Sequence, residues 1–265
     1  MIHSALLPAL TAAGVSVASV YVVRGVARRA GIVAAPRADR WHSLPTPLLG
    51  GVGIWLGMVL TLPWFVGSAP RVWVAVAAAT VLFLLGLIDD IWPVAPTTKL
   101  FGQLVAAAIA VMSGFVLHFT PFQSINVLLS FVWIVGVTNA FNLLDNMDGL
   151  SAGVAFVACV FLLTPLLSTP SPLVPVLSAL AGATFGFLLF NRHPASIFMG
   201  DCGSLFIGFV LAVVTLEARG RSSNLFSVVF VPALVLLIPL ADMALVTVTR
   251  LREGRPVSQG GRDHS

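Results

Sequence analysis

Long apolar runs separated by short polar joints make up most of the chain. Runs of spanning length fall at residues 5–23, 48–66, 71–88, 100–117, 124–141, 151–168, 172–190, 202–218 and 224–249. About 20 apolar residues are enough to cross the hydrocarbon core of a bilayer as an α-helix. Prolines and glycines mark most of the joints, where helices must stop. The pattern predicts an all-α, polytopic membrane helical bundle with nine spans, forming a single domain over residues 1–265.

The composition agrees with lipid as the solvent for this chain. Residues of the set AVILMFWYC make up 58% of the sequence and charged residues only 9%, whereas a soluble domain carries about 25% charged residues. A soluble enzyme, a disordered tail and a coiled coil are thereby excluded. Arginines follow the first apolar run and no basic segment precedes it, so we interpret it as a retained span rather than a signal peptide. Cys159 and Cys202 form neither a CxxC motif nor a Cys/His cluster, which argues against a disulfide framework or a zinc site.

The basic residues predict how the chain is oriented. When the loops are alternated across the membrane, eleven Lys and Arg residues fall on one side and three on the other. The basic side is expected to be cytoplasmic, with the N-terminus outside and the C-terminus inside. The net charge of +4 therefore reflects topology, and we expect no nucleic-acid partner. Eight of the ten acidic residues share the cytoplasmic side, which orientation does not require and which indicates a functional site there.

Two adjacent acids end the third apolar run. Asp89 and Asp90 close the sequence GLIDD, at a helix C-terminus where the macrodipole is already negative. This placement is unfavourable unless a cation, either a metal ion or Lys99, lies opposite. The alternative is that the two acids only mark the membrane surface.

A second polar group follows the fifth run. Asn139, Asn142, Asp145 and Asp148 recur at three-residue spacing, which places side chains on one face of a helix. Carboxylate and amide oxygens are ligands suited to Mg²⁺. The alternative is an ordinary turn, because Asn and Asp followed by Gly are typical of turns.

Two further segments on the cytoplasmic side carry candidate residues. Asp201, in the sequence MGDCGS, opens the eighth run and is either a helix N-cap or a metal ligand. The glycines beside it would let a phosphate approach backbone amides. The first cytoplasmic loop offers Arg37, Arg40 and His42 as phosphate partners. Its alternative interpretation is a plain basic loop.

Taken together, these motifs resemble the polyprenyl-phosphate N-acetylhexosamine-1-phosphate transferases of glycosyltransferase family 4. The resemblance runs from about Pro36 to the end of the chain, through PRADRWHSLPTPLLGG, GLIDD, TTKLFGQ, NAFNLLDNMDGLSAG, NRHPASIFMGDCGSL, PLADMALVTVTR and GRPVSQGGRDHS. The phrase FNLLDNMDGL is more similar to the branch that uses UDP-N-acetylglucosamine than to the branch that uses UDP-N-acetylmuramoyl-pentapeptide.

The resemblance implies attack of a polyprenyl phosphate oxygen on the sugar-bearing phosphorus of a UDP-amino sugar, with release of UMP. It assigns Mg²⁺, or Mn²⁺ in its place, to Asn142 and Asp201. It assigns the lipid phosphate to Asp89 and Asp90, the diphosphate to Lys99, and the catalytic centre and nucleotide to Asp145 and Asp148. The expected substrate-binding set is completed by Asn139, Arg40, His42 and His264. Because a phosphate monoester is mostly a dianion at neutral pH, we favour positioning over proton abstraction by an Asp.

The same resemblance implies a multi-pass protein of the bacterial plasma membrane, with its site on the cytoplasmic face. It would catalyse the first membrane step of cell-wall or surface-glycan synthesis, such as lipopolysaccharide or teichoic acid; a homodimer is left open. The family continues into a histidine-rich loop and two further spans, whereas this sequence stops at Ser265 and His264 matches only the start of that loop. We therefore expect an incomplete catalyst, or in the extreme an inactive scaffold. A secondary transporter is the rival class, but it predicts midplane acids and an internal repeat, neither of which the sequence contains.

Overall fold

The computed structural model describes residues 2–34, 45–118, 120–168, 170–217 and 236–252, and most of them are helical. The α-helices are α1 (Ile2–Ala30), α2 (Gly51–Thr61), α3 (Pro70–Ile91), α4 (Pro96–Met112), α5 (Gln123–Leu144), α6 (Leu150–Leu163), α7 (Leu173–Asn191), α8 (Gly200–Glu217) and α9 (Leu237–Arg252). Short 3₁₀ turns follow α2 (Leu62–Trp64) and α6 (Thr164–Ser168). Two antiparallel two-residue strands, β1 (Val33–Ala34) and β2 (Thr46–Pro47), pair with Val33 opposite Pro47.

The predicted all-α membrane bundle is confirmed in its class. Among the described residues, six helices are long and apolar enough to cross a membrane: α1, α3, α5, α6 with the turn after it, α7 and α8. The eleven residues of α2 rise only about 16 Å, which is less than the roughly 30 Å of a hydrocarbon core. The ninth predicted run, 224–249, lies partly outside the described residues. The described helices therefore agree with a polytopic bundle, and the count of nine spans stays a prediction.

Helices α7 and α8 form the centre of the bundle and are buried along most of their length. Helices α1, α2 and α6 pack on α7, whereas α3 and α5 pack on α8. This position explains why both central sequences are apolar on every side. Small residues allow the closest approach: a Cβ atom at Gly182 would lie 1.9 Å from the carbonyl oxygen of Ala9. Such backbone contact is typical of helix pairs in membranes.

The ends of α3 and α8 that carry acidic residues meet at one end of the bundle. The last turn of α3 packs against the first turn of α8, and a Cβ atom at Gly86 would lie 2.5 Å from the carbonyl oxygen of Asp201. The segment before α8 is fastened to the segment before α2, because the Phe198 amide donates to the Pro47 carbonyl at 2.8 Å and the Gly51 amide to the Met199 carbonyl at 2.8 Å. The start of α8 is thus fixed from two sides.

Candidate active site

Lys99 lies between carboxylates from two other helices. Its Nζ donates to Asp89 Oδ2, at the end of α3, at 3.0 Å and to Asp201 Oδ2, in the first turn of α8, at 2.9 Å. The other oxygen of Asp89 accepts the Val94 amide at 2.6 Å. The prediction that a cation lies opposite the acid pair is therefore confirmed for Asp89, where the cation is Lys99. Two carboxylates far apart in sequence face one cation.

The electrostatics of this cluster keep Lys99 charged. Lys99 precedes the fourth predicted span, and its side chain is mostly buried. Burial by itself would lower the pKa of Lys99, but the nearby carboxylates of Asp201 and Asp89 outweigh it and hold the pKa above its ordinary value. A permanent positive charge at this position suits contact with a diphosphate.

Asp90 has different partners from its neighbour Asp89. Asp90 Oδ1 accepts the backbone amide of Asp201 at 2.8 Å, and Oδ2 accepts that of Cys202 at 3.1 Å. Because α8 begins at Gly200, Asp201 lies inside its first turn, and the N-cap interpretation of Asp201 is wrong. Gly200, with φ of +78°, gives Asp90 the room to make these contacts.

The polar stripe after the fifth run is shorter than predicted. Helix α5 ends at Leu144, so only Asn139 and Asn142 share a helical face. Asp145 is the first residue beyond the helix, and Asp148 lies in the following turn. The prediction of one continuous four-residue stripe is wrong, because the turn that these residues favour replaces the helix. Asp145 nevertheless stays within electrostatic range of Cys202, in the first turn of α8.

The two amides of α5 connect different helices. Asn142 Nδ2 donates to Ser204 Oγ at 3.0 Å, which places Asn142 beside the first turn of α8. Asn139 forms a reciprocal pair with Gln103 of α4: Asn139 Nδ2 donates to Gln103 Oε1 at 2.6 Å, and Gln103 Nε2 donates to Asn139 Oδ1 at 3.2 Å. Sequence reasoning gave no separate role to Gln103. Its position four residues after Lys99, on the same helical face, was the available signal.

Asp148 contacts the loop between α7 and α8. Its Oδ2 accepts the Ala195 amide at 3.0 Å and lies 2.9 Å from Nδ1 of His193. Buried Asn191 ties the same two segments together, because its Oδ1 accepts the Gly149 amide at 3.0 Å and its Nδ2 donates to the Ile197 carbonyl at 3.0 Å. His193 and Asn191 were not predicted as site residues, although the polar joint NRHP that contains them was visible in the sequence.

The described residues fit a metal shared with a substrate better than a metal held by protein alone. Within the described ranges, no three Asp, Glu, His or Cys side chains lie close enough to hold a metal ion. However, Mg²⁺ is commonly held by one or two carboxylates together with substrate phosphates. Asp201 already faces a cation, Lys99, and Asn142 lies beside the same helical turn. The predicted residues Arg37, Arg40, His42 and His264 lie outside the described residues.

The chain is similar to a family of known transferases. Residues 72–219 match the family described as glycosyl transferase family 4. The chain is 32% identical to a probable undecaprenyl-phosphate N-acetylglucosaminyl 1-phosphate transferase of Bacillus subtilis, over 92% of this chain and 71% of that protein. It is 34% identical to a decaprenyl-phosphate N-acetylglucosaminephosphotransferase of Mycobacterium tuberculosis, over 97% of this chain and 74% of that protein. A phospho-N-acetylmuramoyl-pentapeptide-transferase of Heliobacterium modesticaldum is 33% identical over 66% of this chain and 61% of that protein.

Proposed function

The chain belongs to glycosyl transferase family 4, and we propose that it transfers N-acetylglucosamine 1-phosphate from UDP-N-acetylglucosamine to polyprenyl phosphate. The observation that carries this proposal is the bridge from Lys99 to Asp89 and Asp201, at one end of a membrane bundle. Relatives named for N-acetylglucosamine transfer match more than nine-tenths of the chain, whereas the phospho-N-acetylmuramoyl-pentapeptide-transferase matches 66% of the chain. Transfer of phospho-N-acetylmuramoyl-pentapeptide is therefore the second candidate.

In the proposed reaction, an oxygen of the polyprenyl phosphate forms a bond to the sugar-bearing phosphorus. The bond from that phosphorus to the bridging oxygen breaks, and UMP leaves with the bonding electrons. Phosphoryl transfer of this type depends mainly on positioning and charge stabilisation. Lys99, held charged by its carboxylates, would meet the diphosphate. No general base is needed, because the attacking phosphate is already mostly a dianion at neutral pH.

A divalent cation completes the proposal. Asn142 and Asp201 would hold Mg²⁺, or Mn²⁺ in its place, and Asp145 and Asp148 would serve the catalytic centre and the nucleotide. When bound, the ion would offset the charge that develops on the diphosphate oxygens. The oxygen donors of Asn142 and Asp201 support this choice, because hard cations prefer such ligands.

We place the site at the cytoplasmic face of a bacterial plasma membrane, in a bundle of nine spans with its N-terminus outside. The eleven-to-three distribution of basic residues supports this orientation, and a soluble UDP-sugar would then reach the acids directly. In this position the enzyme would begin the assembly of a cell-wall or surface glycan. Arg40, His42 and His264 remain proposed phosphate partners on the same face.

Release of UMP from a panel of UDP-sugars, using membranes that contain the chain and polyprenyl phosphate, tests the proposal. We expect release from UDP-N-acetylglucosamine that stops when EDTA removes divalent cations. Asp145→Asn, Asp148→Asn and Asp201→Asn should each abolish turnover while the protein remains inserted. Glu217→Gln, at the other end of α8, is the matched control and should retain activity. Near-native rates in all three site variants would refute the site, and uptake of UDP-sugar without UMP formation would favour a transporter.

A further inference from the structure

The two adjacent acids at the end of α3 have different surroundings, although their sequence presents them as a pair. We propose that Asp90 is a positioning residue: by capping the start of α8 it fixes the turn that carries Asp201, whereas Asp89 faces the cation. The inference rests on the proposed function, in which Asp201 holds the metal ion. The capping contact itself can be measured without any substrate.

Both oxygens of the Asp90 carboxylate are used in backbone contacts with α8. They accept the amides of Asp201 and Cys202 at 2.8 Å and 3.1 Å. Successive residues of an α-helix point about 100° apart, which explains why Asp89 turns instead towards Lys99 and the Val94 amide. A carboxylate occupied in this way orients the protein backbone rather than a substrate phosphate.

The backbone around Asp90 is shaped to accept this carboxylate. Gly86 lies four residues before Asp90, on the same face of α3, and a Cβ atom there would lie 2.5 Å from the backbone nitrogen of Cys202. A Cβ atom at Gly200 would lie 2.4 Å from Asp90 Oδ2. Both glycines therefore leave space in which α3 reaches the first amides of α8. The contact depends on three residues from two helices and is not an incidental surface contact.

The cap offsets part of the unfavourable position of Asp90. At the C-terminus of α3 the carboxylate lies near the negative end of one helix dipole, but it also lies at the positive end of α8. Free amides in the first turn of a helix need acceptors, and Asp90 supplies acceptors to two amides that lie 111 and 112 residues away in the sequence. If the first turn of α8 frays, the Asp201 carboxylate loses its fixed position relative to Lys99.

Amide hydrogen exchange, read by mass spectrometry on detergent-solubilised protein without substrate or metal, tests the cap directly. In Asp90→Ala, we expect a peptide that covers the amides of Asp201 and Cys202 to exchange about tenfold faster than in the wild type. Asp90→Asn keeps one acceptor oxygen and should give a smaller increase. Asp89→Asn is the matched control, because Asp89 contacts neither amide, and should leave this peptide protected. Gly200→Ala, which intrudes on the carboxylate, should reproduce the faster exchange.

Turnover separates positioning from direct contact with substrate. We expect kcat to fall in the order wild type, Asp90→Asn, Asp90→Ala, in step with amide protection. Equal inactivity of both variants, with the amides as protected as in the wild type, would overturn the inference and assign Asp90 to the substrate. Because exchange is measured on the unloaded protein, the cap stands or falls separately from the transferase proposal.

Discussion

The reciprocal amide pair between Gln103 and Asn139 allows a quantitative test of which polar residues serve the structure. Gln103 is 3% exposed, and the two side chains exchange hydrogen bonds of 2.6 Å and 3.2 Å. Asn139 Nδ2 also donates to the Val135 carbonyl at 2.8 Å, so both amide hydrogens of Asn139 are used within the protein. We expect Asn139 to tie α5 to α4, and not to bind substrate as its sequence motif predicts.

The magnitude follows from the two bonds. Each neutral hydrogen bond contributes about 1 kcal/mol net, and a buried amide left without a partner costs about 1–3 kcal/mol. Gln103→Leu and Asn139→Leu should therefore each lower the free energy of unfolding by about 2–3 kcal/mol. The double variant removes both amides, so no unpaired amide remains. It should therefore lose less stability than the sum of the two single variants. Coupling between polar side chains in membrane proteins averages about 0.6 kcal/mol and reaches about 1.7 kcal/mol. Because this pair exchanges two hydrogen bonds, we expect a coupling energy in the upper part of that range, about 1–1.7 kcal/mol.

The assay is reversible unfolding of purified protein in mixed micelles with increasing denaturing detergent, followed by circular dichroism. Thr11→Ala, on α1, provides the control, because Thr11 bonds only within its own helix among the contacts identified. Its combination with Gln103→Leu should be additive within about 0.5 kcal/mol. An additive Gln103–Asn139 cycle would refute the structural role. So would an Asn139→Leu variant of unchanged stability whose KM for the UDP-sugar rises sharply.

Three further predictions concern the two ends of the bundle. A cysteine placed beside Asp148 should react with a thiol label only from the cytoplasmic side, and a cysteine beside Arg71 only from outside. The reverse pattern would mean that the topology is inverted and that a UDP-sugar cannot reach the acids. Glu217→Gln removes the negative charge from the 2.9 Å ion pair with Arg71. Because both side chains are substantially exposed, we expect thermal unfolding to show a loss of no more than about 1 kcal/mol. A larger loss would show that this ion pair holds α3 against α8. His193→Ala should change UMP release by less than about threefold, because the imidazole is largely exposed and exposed ion-pair contacts contribute little. Abolished release would instead assign His193 to the reaction.

Local patterns in the sequence predicted the class of the fold and several of the polar residues that meet in the candidate site. Helices that cross a membrane must bury their backbone polar groups within themselves, so long apolar runs identify them without knowledge of their neighbours. Scarce charges are equally informative in such a chain, because each one is costly in lipid. Asp89, Lys99 and Asp201 could therefore be predicted as site residues, and the turn interpretation of Asp145 and Asp148 was available from Asn, Asp and Gly alone.

What the sequence could not determine was the partner of each polar group. GLIDD presents two equivalent carboxylates, yet Asp89 contacts Lys99 and Asp90 contacts the amides of α8. The difference arises because adjacent side chains on a helix diverge by about 100° and meet different neighbours. Those neighbours are brought there by the packing of α3, α4 and α8. The spacing of residues within one helix carries no information about that packing. The sequence alone determined which residues are polar in a lipid environment, whereas only the tertiary structure decided which of them connect helices through the backbone and which meet one another in the candidate site.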